Sequence, residues 1–308
     1  MKYFFVLLCF QLCLIQVLSV TLRTDGVNGR DPTNPLLRPA ERACNVYSNM
    51  PESRILGGQA AAHGEFPWMA ALGYIADLKI TFKCGGTIIS KDFVLTAAHA
   101  ITLNHLPVLV RLGKLTLTDN GNDDISAVDH QVKRIYKHPN RSALTHKNDI
   151  ALISLTKSIQ FTANIAPACL HTSMGDLGDL IVTGWGLTDP VRMSSMSNEL
   201  LKAQVKTIPL SECNSTFVEW NRKVSNFSAF QNGLDEGQYC AHDPEGKKDS
   251  CFGDGGGPLQ FFPNNSKTAT VVGIVSFGHG CGTSFPTIYT RVAQYLDWIE
   301  PIVWPSDQ

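Results

Sequence analysis

The chain has 308 residues, of which 44% are hydrophobic, and its formal net charge is −1 at pH 7. That balance is ordinary for a globular protein, and the length suits one or two average domains or one large all-β domain. Because the net charge is close to zero, the composition gives no sign of nucleic acid or of an anionic membrane as a partner.

The N-terminal residues have the pattern of a secretory signal. Lys2 precedes the apolar run Phe4–Leu18, and Val17 and Ser19 are small or aliphatic residues suited to a cleavage site. A membrane anchor is the alternative, but the run is shorter than the roughly 20 residues that a spanning helix needs. We therefore predict that residues 1–19 are a signal peptide and that the mature protein is secreted, extracellular and free of a membrane.

The cysteine content agrees with secretion. Two of the nine cysteines lie in the predicted signal, and seven remain: Cys44, Cys84, Cys169, Cys213, Cys240, Cys251 and Cys281. Since seven is odd, at least one is unpaired within the chain or pairs with another chain. No Cys-x-x-Cys pair or Cys/His cluster occurs in the sequence, so we expect neither a metal site nor a cofactor. Asn-x-Ser/Thr sequons mark four candidate glycosylation sites: Asn140, Asn214, Asn226 and Asn264.

The composition and the hydrophobic pattern of the sequence change near Ile55. Residues 20–54 are polar and rich in Pro, Gly, Asn and Arg, which predicts a flexible pro-segment with no core of its own. Short β-type runs then alternate with glycine and polar turns, at 83–89, 108–112, 150–153, 180–183 and 271–275. Regularly spaced short strands indicate an all-β sandwich or barrel. Only Val292–Val303 has helical spacing, which predicts one C-terminal helix.

Three later segments carry the residues of a catalytic triad in the order His, Asp, nucleophile. Leu95–His99 reads Leu-Thr-Ala-Ala-His, Asn148–Leu152 reads Asn-Asp-Ile-Ala-Leu, and Cys251–Pro258 reads Cys-Phe-Gly-Asp-Gly-Gly-Gly-Pro. With Gly184–Gly186 (Gly-Trp-Gly) and the C-terminal helix, they resemble the trypsin/chymotrypsin-like serine protease family. The resemblance implies an all-β fold of two six-stranded antiparallel β-barrels with a C-terminal α-helix, in a domain over residues 55–308.

The third segment departs from this family at the nucleophile. In a working member, His99 would be the general base, and Asp149 would fix its tautomer and stabilise the imidazolium. The family's turn reads Gly-Asp-Ser-Gly-Gly-Pro, whereas Gly255 stands at the serine position here and its neighbours bring no hydroxyl. The resemblance also implies that the amides of Gly253 and Gly255 form the oxyanion hole, which glycine can still supply.

The segment Ser53–Gly58 resembles the activation site of the same family. Cleavage after Arg54 would free the amine of Ile55, and the resemblance assigns Asp254 as the buried carboxylate that pairs with that amine. On this interpretation the chain is a zymogen that has kept its activation switch.

Family positions imply three disulfide bridges, Cys44–Cys169, Cys213–Cys240 and Cys251–Cys281. The first would keep the cleaved pro-segment attached. Cys84 is left unpaired, because the place of its usual partner, just after the histidine, holds Ala100.

The specificity pocket allows two interpretations. By resemblance, Asp249 occupies the floor position that pairs with Arg or Lys of a substrate, and Gly278 keeps the mouth open. Thr287 stands where trypsin-like enzymes usually have a second glycine, and its β-branched side chain would narrow the path to Asp249. An open pocket would bind a basic side chain, whereas a blocked one leaves Asp249 as a buried acid that needs other partners.

The leading interpretation is a secreted, non-catalytic serine protease homologue of the arthropod type, without a clip domain. Such a protein would act as a regulatory or binding component of an extracellular protease cascade, switched by cleavage after Arg54. Its partners would be proteases, zymogens or inhibitors. Two alternatives stay open: an active trypsin-like endopeptidase, if Gly255 is a variant or a sequencing error, and a decoy that occupies protease inhibitors.

Overall fold

The computed structural model describes residues 34, 36–50, 60–118, 126–189, 192, 195–224, 233–246, 250–279 and 281–305. The predicted signal peptide, the activation site at Arg54 and Ile55, the pocket residue Asp249 and the sequon at Asn226 lie outside the described residues. The predictions for those positions, and the domain boundaries, stay predictions.

The first half of the described chain forms a closed six-stranded barrel. Its strands are β1 (Met69–Ala76), β2 (Lys79–Ile88), β3 (Phe93–Thr96), β4 (Pro107–Leu112), β5 (Val128–Lys137) and β6 (Ala151–Leu155). They pair antiparallel in the order β1-β2-β3-β6-β5-β4. All five residues of β6 are buried, whereas β5 is mostly exposed or half-buried, so β6 contributes most to the barrel core. Branched aliphatic side chains fit such a pleated, buried surface.

The second half forms another closed barrel. Its strands are β7 (Cys169–Leu170), β8 (Asp179–Gly184), β9 (Leu201–Ile208), β10 (Gln238–His242), β11 (Pro258–Phe261), β12 (Thr270–Phe277) and β13 (Thr287–Arg291). Six of them close in the antiparallel order β8-β9-β10-β13-β12-β11, because β11 pairs with both β12 and β8. The two-residue β7 adds to β12 in parallel. The fold is therefore that of chymotrypsin, as predicted, with a C-terminal helix.

A buried chain of hydrogen bonds joins the two barrels. The indole N–H of Trp68 donates to Gln260 Oε1 at 2.6 Å, and Gln260 Nε2 donates to Thr183 Oγ1 at 3.2 Å. Trp68 and Gln260 are almost completely buried. Buried polar groups need hydrogen-bond partners, so these two hydrogen bonds favour one arrangement of the barrels. The cleft between the barrels depends on that arrangement.

The C-terminal helix is confirmed, but the expectation that it is the only helical segment is wrong. A 3₁₀ turn at Val292–Tyr295 leads into helix α3 (Leu296–Val303). Helix α2 (Leu210–Val224) lies between β9 and β10 and buries Cys213, Phe217 and Asn221 at four-residue spacing. Its buried stripe includes an asparagine, and a pattern of apolar residues alone therefore missed it. No helix among the described residues is long and apolar enough to cross a membrane.

The predicted flexible pro-segment contains an ordered helix, α1 (Pro39–Tyr47), and for these residues the expectation of flexibility is wrong. The guanidinium of Arg38 donates to both carboxylate oxygens of Glu300 in α3, at 3.1 and 3.0 Å, and also pairs with Asp297. The buried Tyr47 donates its hydroxyl to the carbonyl of Ile89 at 2.9 Å. The segment has no hydrophobic core of its own, because its buried residues pack against the core of the protease domain.

Candidate active site

The two barrels bring His99 and Asp149 together. His99 lies in a 3₁₀ turn directly after β3, and Asp149 lies two residues before β6. Because Thr96 of β3 pairs with Ala151 of β6, both side chains leave the same end of the first barrel. His99 Nδ1 is 2.7 Å from Asp149 Oδ2, and the backbone N–H of His99 donates to Oδ1 at 2.8 Å.

The Asp149 carboxylate also accepts hydrogen bonds from the second barrel and from the loop before β6. Ser276 of β12 donates its hydroxyl to Oδ2 at 2.6 Å, and Arg141 donates Nε–H to Oδ1 at 3.3 Å. Burial opposes the charge of Asp149, but His99, Ser276 and Arg141 outweigh it and lower the pKa of Asp149 to about 2. An ionised carboxylate favours the tautomer of His99 with its proton on Nδ1, so the lone pair on Nε2 faces the cleft.

Residue 255 faces that lone pair. A Cβ built on Gly255 would lie 2.4 Å from His99 Nε2, so the predicted nucleophile position adjoins the predicted base. Glycine has no side-chain atom there, and the imidazole occupies the space that a Cβ would need. A side chain at this position would require the ring to retreat.

The turn that carries Gly255 depends on glycine for its shape. Gly253 has φ +104° and Gly256 has φ +85°, in the region that side chains disfavour. A Cβ on Gly256 would also lie 2.5 Å from the carbonyl oxygen of Gly85. Gly255 itself accepts a hydrogen bond from the N–H of Gly85 at 2.9 Å, which ties the turn to β2. Its assignment with Gly253 to an oxyanion hole stays a prediction.

Asp254 is half-buried as a whole residue, and its carboxylate lies against Gly184 and Gly186. Its carboxylate accepts the backbone N–H of Gly186 at 2.7 Å and that of Cys251 at 2.8 Å. Burial raises the pKa of Asp254 to about 6, and the two N–H groups only partly offset it. No cationic side chain among the described residues forms an ion pair with it. A Cβ on Gly184 or Gly186 would come within 1.9 or 2.4 Å of its oxygens, which gives the Gly-Trp-Gly motif a physical reason.

A cavity of about 370 Å³ opens between the barrels. Its lining includes the cleft residues Cys84, His99, His146, Gly255, Phe277, Gly278 and Thr287. Thr287 is almost completely buried, and its Oγ1 is 3.0 Å from where a Cβ of Gly278 would lie. The two predicted wall residues therefore approach each other closely.

Two further side chains line this cavity, His146 and Cys84. His146 stacks on Phe277 with ring centroids 4.6 Å apart, a contact that no sequence motif indicated. Burial lowers the pKa of His146, and no described group accepts or donates at its buried Nδ1. Cys84 has no disulfide partner among the described residues, and burial raises the pKa of its thiol. His146 lies in the loop between β5 and β6, whereas Cys84 lies in strand β2.

The structure forms disulfide bridges between the cysteines that the resemblance pairs: Cys44–Cys169, Cys213–Cys240 and Cys251–Cys281. Such bridges are typical of proteins in an oxidising compartment. Among the predicted glycosylation sites, Asn140 and Asn264 are exposed. Asn214 is half-buried in α2, and its Oδ1 accepts the N–H of Leu234 at 2.8 Å.

Comparison with known proteins agrees with this geometry. Residues 55–299 match the family described as Trypsin, and the chain therefore belongs to the trypsin family of serine proteases and their homologues.

Several arthropod proteins are similar to this chain. Serine protease Hayan of Drosophila melanogaster is 36% identical over 281 residues, which are 88% of this chain and 43% of that protein. Serine protease snk of the same species is 35% identical over 259 residues, 81% of this chain and 57% of that protein. This chain thus spans about half the length of these two relatives. The clotting factor G beta subunit of Tachypleus tridentatus is 29% identical over 300 residues, 93% of this chain and 91% of that protein. Insect CLIP domain-containing serine proteases are also related.

Proposed function

We propose that this chain is a secreted serine protease homologue that lacks a catalytic nucleophile and acts by binding partners in an extracellular protease cascade. One observation carries the proposal: residue 255 directly faces His99 Nε2 and is glycine. The rest of the site supports it, because the His99–Asp149 pair and the cleft persist around the missing hydroxyl.

Loss of the nucleophilic hydroxyl is expected to lower the rate of peptide hydrolysis strongly. Removal of the nucleophile from a well-studied protease of another fold lowers turnover by about 2 × 10⁶, and the remaining rate comes from substrate binding and the oxyanion hole. A water molecule beside His99 would lack the held geometry that makes attack fast. A loss of that size leaves too little proteolysis to serve a cascade, whereas binding in the cleft needs no nucleophile.

The partners we propose are extracellular proteases, zymogens or their inhibitors. The names of related proteins support this class, since they include a clotting factor subunit and a melanization protease. Cleavage after Arg54 would provide the amine of Ile55 as the cation that the buried Asp254 lacks among the described residues. Pairing would stabilise the turn at 251–257 and with it the cleft.

The catalytic part of the proposal is tested with a fluorogenic peptide amide that has Arg before the scissile bond. The chain is purified, cut after Arg54 and compared with a His99→Ala variant treated in the same way. We expect equal, background hydrolysis from both. Hydrolysis that co-purifies with the wild-type chain and disappears in His99→Ala would refute the proposal.

The switch is tested by binding. Trypsin-like zymogens and a protein inhibitor with Lys at its reactive bond are immobilised, and wild type and Arg54→Gln are compared before and after protease treatment. We expect capture of a zymogen by processed wild type only. Equal affinity of both proteins after treatment would exclude the switch, and capture of the inhibitor alone would favour the decoy function.

An active trypsin-like endopeptidase is the second candidate. The intact His99–Asp149 pair favours it, as do relatives named as serine proteases. It requires that residue 255 be serine in the natural protein. Resequencing the codon for residue 255 decides between the two candidates.

A further inference from the structure

A group of exposed cations lies at the end of the first barrel that is opposite the candidate active site. His99 follows β3 and Asp149 precedes β6, whereas Lys91 precedes β3 and Lys157 follows β6. The two lysines are therefore at the other ends of the strands that carry the predicted catalytic positions. Together with two cations of β5 they form a basic patch with four exposed members: Lys91, Lys133, Arg134 and Lys157.

The backbone places the members of the basic patch close together. The N–H of Ile159 donates to the carbonyl of Lys91 at 2.7 Å, which brings Lys91 beside the turn that contains Lys157. Arg134 of β5 pairs with Ser154 of β6, three residues before Lys157. Adjacent strands are about 4.8 Å apart and a residue advances about 3.3 Å along a strand, so the patch spans about 15 Å.

Most of the positive charge of the basic patch is not neutralised. Lys133, Arg134 and Lys157 form no ion pair with any residue that the structure describes. Lys91 is 3.9 Å from the carboxylate of Asp92, and both side chains are exposed, so solvent screens this pair. With Asp92 included, the patch has a net charge of +3.

Strand β5 neither cancels nor hides the charge of Arg134. Its guanidinium lies over the ring of Tyr136, 4.8 Å from the ring centroid, and that ring in turn packs near Phe93. The one acid of β5 is Asp129, and both of its oxygens accept hydrogen bonds from Arg111 at 2.9 Å. Arg134 is thus held at the surface with its charge available to a ligand.

An anionic polymer fits the basic patch better than a small anion or a bilayer. Its long, exposed side chains come from three segments, so each can contact a different charged group of one ligand, and binding of this kind depends on charge and on the release of counterions. Residues 130–137 and 155–159, all of which the structure describes, expose no large apolar side chain that could enter a bilayer. Since the three disulfide bridges indicate an oxidising compartment, an extracellular polymer is the relevant class.

We propose that the basic patch binds a sulfated polysaccharide outside the cell. The sulfate groups pair with the lysine ammonium groups and with the guanidinium of Arg134, which can donate two parallel hydrogen bonds to one anionic group. Because the patch and the candidate active site lie at opposite ends of β3 and β6, a bound polysaccharide leaves the cleft open to a protein partner. This inference goes beyond the proposed function and does not depend on residue 255.

The test measures the binding of the full chain to immobilised heparin by surface plasmon resonance at several NaCl concentrations. We expect Kd to rise with salt, and heparin without its sulfate groups should lose most of the binding. The combined variant Lys133→Gln, Arg134→Gln and Lys157→Gln should bind about 100-fold more weakly, from about fivefold for each cation near an anionic surface. Arg134→Lys keeps the charge and should stay close to wild type.

The matched control removes the same charge from exposed positions outside the basic patch, with Lys79→Gln, Lys83→Gln and Lys206→Gln combined. Its Kd should stay within about threefold of wild type, because salt screens charges that lie farther from the bound polymer. If the combined patch variant does not fold, the single variants Lys133→Gln and Lys157→Gln replace it. Each changes one exposed side chain and should bind about fivefold more weakly.

An absence of heparin binding by the wild-type chain would overturn the proposal, as would unchanged binding in the folded patch variants. Equal weakening in the control would do the same, since it would reveal attraction to the net charge alone. Capture by phosphatidylserine vesicles or by double-stranded DNA that is as tight as capture by heparin would assign the patch to another class of ligand and also overturn it. The readout needs neither proteolysis nor the cleft, so its failure leaves the proposed function untouched.

Discussion

The buried carboxyl of Asp254 should make the uncleaved protein less stable as the pH rises. Its folded-state pKa is raised from 3.8 to about 6, mainly by burial. The folded protein therefore binds a proton more tightly than the unfolded chain does. This stabilising contribution is fully present below about pH 4 and is lost as the pH rises through about 6. At 1.36 kcal/mol per pH unit, the loss is about 3 kcal/mol.

The measurement is the free energy of unfolding in urea between pH 4 and pH 7.5, on an Arg54→Gln variant that stays uncleaved. The pKa values of His138, His146 and His171 are lowered by burial, and these groups change the free energy of unfolding with pH in the opposite direction. The folded protein loses stability as the pH falls, because protonation of these histidines favours the unfolded chain. The contribution of Asp254 is therefore the difference in the free energy of unfolding between the Arg54→Gln protein and the same protein with Asp254→Asn. We expect that difference to change by about 3 kcal/mol, mostly between pH 4 and pH 6.

A difference that is constant with pH would refute the reasoning. A change of the opposite sign would do the same, since it would mean that Asp254 is stabilised as an anion in the uncleaved chain. The carboxyl of Asp149 does not interfere, because its pKa of about 2 places its loss of stability below pH 4.

Three further predictions follow from the site and its supports. Gly255→Ser in the processed protein should produce measurable hydrolysis of an Arg-amide, but with kcat/KM well below that of a working protease, because a Cβ there lies 2.4 Å from His99 Nε2. Phe217→Ala should lower the free energy of unfolding by about 3–5 kcal/mol in urea, since its ring is buried against other aromatic rings. Tyr47→Phe should cost about 1–3 kcal/mol in the same assay, because the hydroxyl loses its hydrogen bonds to the carbonyl of Ile89 and to Trp304.

Each has its control. In the serine variant, His99→Ala must abolish the new hydrolysis, and activity that survives it would count against the assigned base. Ser215→Ala lies on the exposed side of α2 and should stay within about 0.5 kcal/mol of wild type, so a cost like that of Phe217→Ala would point to loss of the helix. A loss above about 3 kcal/mol in Tyr47→Phe would mean that the packing of α1 is disturbed beyond these hydrogen bonds.

The sequence predicted the strands and the residues of the triad positions because these depend on local patterns. Short apolar runs flanked by polar or turn residues predicted β4, β6 and β12 to within two residues of their true bounds. The motif around residues 95–99 and 148–152 likewise sits at strand ends, and strand pairing alone brings those ends together.

What the sequence missed depends on long-range contacts. Helix α1 is stable because α3, more than 200 residues away, supplies Glu300, and no local window contains that information. The contacts of Arg141 and His146 arise in a loop where His146 and Asn148 both have positive φ, at +52° and +54°. Glycine is the residue that most readily adopts a positive φ, so the sequence carried no clear signal for this conformation at either position.

The docking of α1 has a practical consequence for anyone preparing this protein. A recombinant form that starts at Ile55 would lack the guanidinium that covers the nearly buried Glu300 carboxylate, and Cys169 would be left as a free thiol. Preparations meant to represent the processed molecule should therefore be made as the longer chain and cut afterwards. The short N-terminal piece then stays in place as a permanent second subunit.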